Sequence, residues 1–208
     1  MLKQFLSPKE IEKKSLKIIE SKVGNLGVTR EKKEIIMRVA HATADIEIAK
    51  GIIFHPQAIE KGILAIRTSR DIITDVEMVK AGIRIKELKN FGNRIFCFLN
   101  DEKVEKEAKD KNLPRARLAI RRAASHLDDN IVVIGNAPTA LFELLSLIKE
   151  GKVSPALVIG TPVGFVGAAE SKKALRKISV PYITNKSRKG GSAVACAIIN
   201  AIIKLAIR

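Results

Sequence analysis

The sequence predicts an α/β protein: a mainly parallel central sheet covered on both faces by helices, a three-layer α/β/α arrangement in a single domain over residues 1–208. Three observations predict it. In the last third, short apolar runs at Ile131 to Ile134, Ala156 to Ile159 and Tyr182 to Thr184 are each followed by a Gly- or Pro-marked loop and then a helical stretch. That alternation of strand and helix argues for parallel strands joined by crossover helices, which must cover both faces. Finally, 208 residues with 46% hydrophobic content suffice for one core, and no repeat, low-complexity segment or long linker divides the chain.

From the N-terminus, Ser7-Pro8-Lys9-Glu10 is a capping box with proline at the first helical position. Ile11, Ser15, Ile18, Ile19 and Lys22 follow at helical spacing, so a first helix should end near Gly24. Thr29 caps a second helix with Ile35, Ile36 and Val39 on its apolar face, and Arg38 and His41, three apart, share a face near its end. Ile46 to Phe54 reads as a strand, Pro56 to Thr68 as a helix, and Asp71 to Thr74 as a short strand. Val76 to Ala81 reads as a helix capped by Gly82. Arg94 to Leu99 is a further strand, and the segments from Asp101 to Asp110 and from Pro114 to Leu127 are helical.

The 38 Lys and Arg against 22 Asp and Glu give a net charge of +16, a field that attracts an anionic partner or simply keeps the chain soluble. Part of this charge is Lys alternating with Glu, as from Lys103 to Lys111, which reads as a solvated helix face; such enrichment also accompanies heat adaptation. Nucleic acid is a poor fit, because no Trp and one Tyr leave little for base stacking. No run approaches the roughly 20 apolar residues of a membrane span. Met1 to Ser15 also lacks a signal-peptide pattern, so a cytoplasmic location is expected. Cys97 and Cys196 lie among apolar neighbours with no second thiol at ligand spacing, which predicts buried free thiols and no metal site.

Ligands of open parallel sheets bind beyond the carboxyl ends of the strands. Three loops occupy that position: Gly135 to Thr139, Gly160 to Gly167, and Asn185 to Ser192. Each can aim backbone N–H groups and a helix dipole at an anion, and the third adds Lys186, Arg188 and Lys189. None has the spacing of a dinucleotide or Walker motif. Of three histidines, His55 precedes a proline and His126 ends a charged helix, both expected to be exposed. His41 instead lies among small residues in Arg38-Val39-Ala40-His41-Ala42-Thr43-Ala44-Asp45, with an arginine and a carboxylate nearby. A lone histidine is more often structural than catalytic. The residues alone therefore reach an anion-binding α/β protein with one candidate acid/base.

Taken together, the segments His41 to Asp45, Thr74 to Ile83, Ile134 to Leu141 and the Gly160 and Gly190 loops, in this order, resemble the precorrin-8X methylmutase family, whose members are also called precorrin isomerases or cobalt-precorrin-8 methylmutases. The resemblance covers almost the whole chain. It implies an α/β/α fold, a homodimer with substrate near the subunit interface, and no cofactor. The implied reaction is an intramolecular methyl migration on precorrin-8X or cobalt-precorrin-8, polycarboxylate tetrapyrroles of corrin (cobalamin) biosynthesis, giving hydrogenobyrinate or its cobalt form.

By the same resemblance His41 is the proton donor and acceptor, and Ser15, Arg38, Thr43, Asp45, Arg115, Asn136, Thr139, Gly160, Thr161, Pro162, Lys186 and Arg188 are expected to contact substrate. Arg117 is the alternative to Arg115, because Pro114 stands where relatives carry threonine. Ala44 and Ser187 stand where relatives often carry glycine. A polycarboxylate ring needs several separated anion sites, which arginines and helix N-termini supply. An imidazole suits protonation and later recovery of a ring proton. Two competing readings are a tetrapyrrole carrier without turnover and a basic nucleic-acid-binding protein.

Overall fold

A computed structural model describes residues 7–208. The chain opens with three helices, α1 (Pro8–Val23), α2 (Arg30–Thr43) and α3 (Ile46–Lys50), then strand β1 (Ile52–Phe54), α4 (Ala58–Arg67), β2 (Ile72–Thr74), α5 (Glu77–Gly82), α6 (Ile85–Leu88) and β3 (Ile95–Cys97). There follow α7 (Glu102–Lys111), α8 (Arg115–Arg122), β4 (Ile131–Ile134), α9 (Pro138–Lys149), β5 (Leu157–Gly160), α10 (Ala168–Leu175), β6 (Tyr182–Asn185) and α11 (Ser192–Ile207). Both expected N-terminal caps form. Ser7 and Glu10 make the two reciprocal bonds of the capping box, Gly24 closes α1 at φ 69°, and the Thr29 hydroxyl accepts the Lys32 N–H.

The strands make one sheet in the order β1-β6-β5-β4-β2-β3, parallel throughout except for β1, which runs antiparallel to β6 at the edge. Alternation within each strand divides the core. Ile72, Ile131, Val133, Leu157, Ile159 and Ile183 face the layer built by α1 to α6 and α11, while Ile73, Val132, Ile134 and Val158 face α8, α9 and α10. This is the expected three-layer α/β/α fold. Central strands buried on both faces carry only apolar side chains, hence their continuous Ile and Val runs. Among the described residues no helix is long and apolar enough to cross a membrane.

Four local expectations are corrected. Ile46 to Phe54 is not one strand: the Asp45 carboxylate accepts the Ile48 N–H and nucleates α3, leaving three residues for β1. Gly82 is the last residue of α5, and Ile83 follows as the cap in extended backbone. The single helix expected from Pro114 to Leu127 stops at Arg122 and continues as a 3-10 turn over Ala124–His126. Cys97 and Cys196 are free but only half-buried.

Candidate active site

Two structural events build the carboxyl edge of the sheet. The first occurs at the switch point, where the chain leaves β2 toward β3 on one side while β4 continues toward β5 on the other. Such crevices ordinarily receive a ligand anion. Here Asp75, fully buried, fills it: its Oδ1 accepts the Gly135 N–H at 3.0 Å and its Oδ2 the Asn136 and Ala137 N–H groups at 2.8 Å each. Burial pushes the Asp75 carboxyl upward in pKa, and the three amides oppose that rise. The Gly135, Asn136 and Ala137 amides are thus satisfied internally by a side chain of the protein.

The second event is the start of α11. Gly135 must be glycine at the crossing, since a Cβ would come within 2.9 Å of the Ser192 Cα. Gly190, at φ 158°, packs its backbone on the carbonyls of Thr161 and Pro162, and Gly191 N–H donates to the Thr161 carbonyl at 2.8 Å. No side chain caps the helix, and among the described residues the amides of Ser192, Ala193 and Val194 have no acceptor. An uncapped 16-residue helix presents these donors and its positive dipole end to an anion.

Ala193 opens onto a cleft of about 300 Å³ whose other walls include Arg38 and His41 of α2, Arg84, and Cys196, Asn200 and Lys204 of α11. His41 also borders a neighbouring cleft of about 290 Å³ with Ser15 and Lys22 of α1. The imidazole therefore stands exposed on the ridge between two depressions. Among the described residues nothing hydrogen-bonds its ring. Its sequence neighbours are engaged elsewhere: Arg38 pairs with Glu12 at 3.1 Å, and Asp45 with Lys189 at 2.7 Å.

The expected contact residues separate into three groups. Ser15, Arg38 and His41 share the ridge and its clefts. Asn136, Lys186 and Arg188 are exposed at the carboxyl edge, Thr139 is half-buried in the first turn of α9, and the Arg188 guanidinium lies over the Phe165 ring. The others have structural duties. Gly160 is buried in β5, where a Cβ would meet Leu175 at 2.6 Å; Thr161 and Pro162 are buried beneath the Gly190 turn. Thr43 hydroxyl donates to the Val39 carbonyl at 2.8 Å and accepts the Asp45 N–H, closing α2. Asp45 caps α3 and holds Lys189.

Arg115 is not brought to His41. It lies on α8, in the layer on the opposite face of the sheet, and pairs with Glu105 at 2.8 Å. Arg117 and Arg121 both clamp the buried Glu143 at 2.7 Å, which gives Arg117 a structural role. One other expectation changes: His55 is half-buried, edge-on to Tyr182, whereas His126 is exposed as expected and rests on Phe96 and Phe98.

The sequence reading overlooked Arg84, Asn200 and Lys204. Asn200 was detectable as a lone amide in the apolar run Ile198 to Ile203; it accepts the Arg84 N–H at 2.9 Å and donates to the Gly82 carbonyl at 2.9 Å. Arg84 carried no comparable signal, since only the fold brings it opposite α2.

The fold and cleft define a class: an α/β protein whose cationic cleft between α2 and α11, carrying one exposed imidazole, suits a polyanionic ligand. The particular family follows from comparison. The family model for precorrin-8X methylmutase matches residues 10–205, and the chain belongs to that family. A cobalt-precorrin-8 methylmutase of Priestia megaterium is 47% identical over 97% of this chain and 89% of its own length. One from Methanocaldococcus jannaschii is 51% identical over 83% of this chain and 79% of its own. The crystal structure of a precorrin-8X methyl mutase from Thermus thermophilus superposes with a TM-score of 0.87 at 38% identity, covering 95% of this chain and 96% of that one.

Proposed function

We propose that residues 1–208 act as one catalytic domain, an isomerase of cobalamin biosynthesis that moves a methyl group within precorrin-8X or cobalt-precorrin-8, with His41 as proton donor and acceptor. One observation carries this reading: the exposed imidazole of His41 stands on a ridge whose flanking clefts hold Arg38, Arg84, Lys204 and the uncapped start of α11. The cations and amides suit the peripheral carboxylates of a tetrapyrrole, leaving the imidazole, which can both donate and accept a proton, beside the conjugated ring. Protonating the ring would lower the barrier to methyl migration, and the same imidazole would recover the proton afterwards.

We further propose a cytoplasmic homodimer in which α8 of a second copy brings Arg115 to the cleft. This is supported by the position of Arg115 on the opposite layer of its own chain. Incubating the purified protein with precorrin-8X and with cobalt-precorrin-8 while recording visible spectra tests the activity. Conversion of either to the corrin chromophore is expected. Binding with no conversion would leave a carrier, and absence of any spectral change would overturn the reading.

A further inference from the structure

A buried charge on the far side of the sheet reaches the same edge. Lys172 of α10 is 1% exposed and is the largest of the fully buried side chains. Its ammonium donates to the Asn185 Oδ1 at 3.1 Å and to the Lys189 carbonyl at 2.6 Å, and among the described residues it makes no salt bridge. Asn185, itself 1% exposed, uses its amide to donate to the carbonyls of Lys186 and Lys189, each at 2.8 Å. Burial alone pushes the Lys172 amine down to about 8, so near neutral pH the group still carries its charge.

An unpaired buried ammonium is expensive to keep, and an apolar side chain of similar length would pack as well. What the apolar chain lacks is a head that holds two acceptors from separate segments at once. Those acceptors are the end of β6 and the last carbonyl before the Gly190-Gly191 turn. Past that turn lies the uncapped first turn of α11, whose Ala193 lines the His41 cleft. The Lys189 side chain is fixed in addition, by Asp45 at the start of α3.

We infer that Lys172 is a positioning residue for substrate binding: by tying Asn185 to the Lys189 carbonyl it sets the Lys186 to Gly191 loop and the first turn of α11 against His41. Lys172 touches no substrate and acts through the loop. The inference rests on the proposed function, because it takes the α11 N-terminus to receive a substrate carboxylate.

The test is Lys172→Met in the full-length protein, with hydrogenobyrinate as the binding probe and hydrogen exchange as an independent readout. Exchange of the hydrogen-bonded Lys186, Lys189, Gly191 and Ala195 amides should quicken by about an order of magnitude while the β4 and β5 amides stay protected. Probe affinity should fall about 10- to 100-fold, with KM rising more than kcat falls, as misplacement of binding groups predicts. Lys172→Gln, which retains a shorter donor, should lie between. Faster loop exchange with unchanged affinity would overturn the inference, and so would unchanged exchange. Failure of both variants to fold would assign Lys172 to fold maintenance alone and overturn it as well. A wild-type protein that does not bind hydrogenobyrinate at all would instead refute the proposed function, leaving the exchange result to report on the clamp.

Discussion

Lys189 Nζ lies 2.7 Å from Asp45 Oδ2 across 144 residues of chain, fastening the loop before α11 to the N-cap of α3, four residues after His41. Asp45, expected to contact substrate, serves as an internal counter-charge to Lys189. It joins the two segments that border the cleft, so the shape of the cationic edge depends on an exposed pair as well as on the core.

This pair sets a pH dependence. The Lys189 hydrogen bond, with help from the Ile48 N–H, holds the Asp45 carboxyl below its usual value of 3.8, and Asp45 in turn raises the Lys189 amine above 10.5. A lowered acid stabilises the fold above its unfolded-state pKa and loses that contribution as pH falls through the folded value. A raised amine contributes below its unfolded-state pKa and loses it as pH rises through the folded value. The difference in thermal midpoint between wild type and Lys189→Ala should therefore be small and flat from about pH 5 to 9. It should close as acid protonates Asp45 and again in strong alkali. A gap persisting at pH 2 would mean that Lys189 acts other than through Asp45.

Asp75 should matter far more to stability. Removing its carboxylate orphans three amides at a buried crossing, and each unsatisfied group costs about 1 to 3 kcal/mol. Asp75→Ala should lose at least about 3 kcal/mol by denaturant titration. Asp75→Asn, which keeps one acceptor oxygen but turns an amide toward the donors, should fall between. Wild-type stability in Asp75→Ala would show that water replaces the carboxylate without loss.

Two residues of the loops near the site stand in left-handed backbone: Ala44 at φ 53° and Ser187 at φ 81°. A side chain there costs about 1 to 2 kcal/mol, and glycine returns about 0.4 to 1 kcal/mol through unfolded-state entropy. Ala44→Gly and Ser187→Gly should each stabilise by roughly 0.5 to 1 kcal/mol, a rise in Tm of about 1 to 4 °C at this chain length. Calorimetry showing a fall in both would contradict the strain argument.

Much of the layer architecture was legible because buried parallel strands must be apolar along their whole length, so Ile131 to Ile134 announces itself. His41 and the α11 loop were legible for a different reason, the glycines and small residues demanded by close backbone approach. What the sequence withheld is who satisfies whom. Asp75 and the Gly135 loop are 60 residues apart, and a run of free amides looks the same in sequence whether its anion is a ligand or a side chain. The sequence likewise did not show that Asp45 caps α3 and holds Lys189. The strand expected at Ile46 failed because a single capping carboxylate outweighed the β propensity of Ile46 and Ile48.

The charged contacts allow a graded test. Arg38 is partly buried at the cleft wall and, among the described residues, pairs only with an exposed Glu12, so it can exchange that partner for a substrate carboxylate. Arg38→Ala should weaken hydrogenobyrinate binding by about 1.5 to 3 kcal/mol, as for other charge-assisted contacts. Arg115→Ala should weaken it comparably in a dimer, because α8 faces away from the cleft of its own chain. Light scattering beside isothermal titration would decide. Full affinity in an Arg115→Ala dimer would remove Arg115 from the site.

His41 carries the sharpest prediction. It is exposed, makes no hydrogen bond among the described residues and contributes nothing to either core, so His41→Ala should leave the thermal midpoint within experimental scatter of wild type. Product affinity should also persist, since Arg38, Arg84 and the α11 amides remain. Turnover should fall by roughly 100- to 10,000-fold, the usual loss on removing a general acid/base. The pH profile separates this from damage to binding: turnover at saturating substrate should follow an ionisation that vanishes in His41→Ala and survives in His55→Ala and His126→Ala. His55 packs on Tyr182 and His126 on two phenylalanines, so those variants control for losing a ring that packs. A folded His41→Ala enzyme turning over within a few-fold of wild type would refute the assignment. The proton would then have to come from the substrate's own carboxyls or from water, with the cleft serving only to hold the ring.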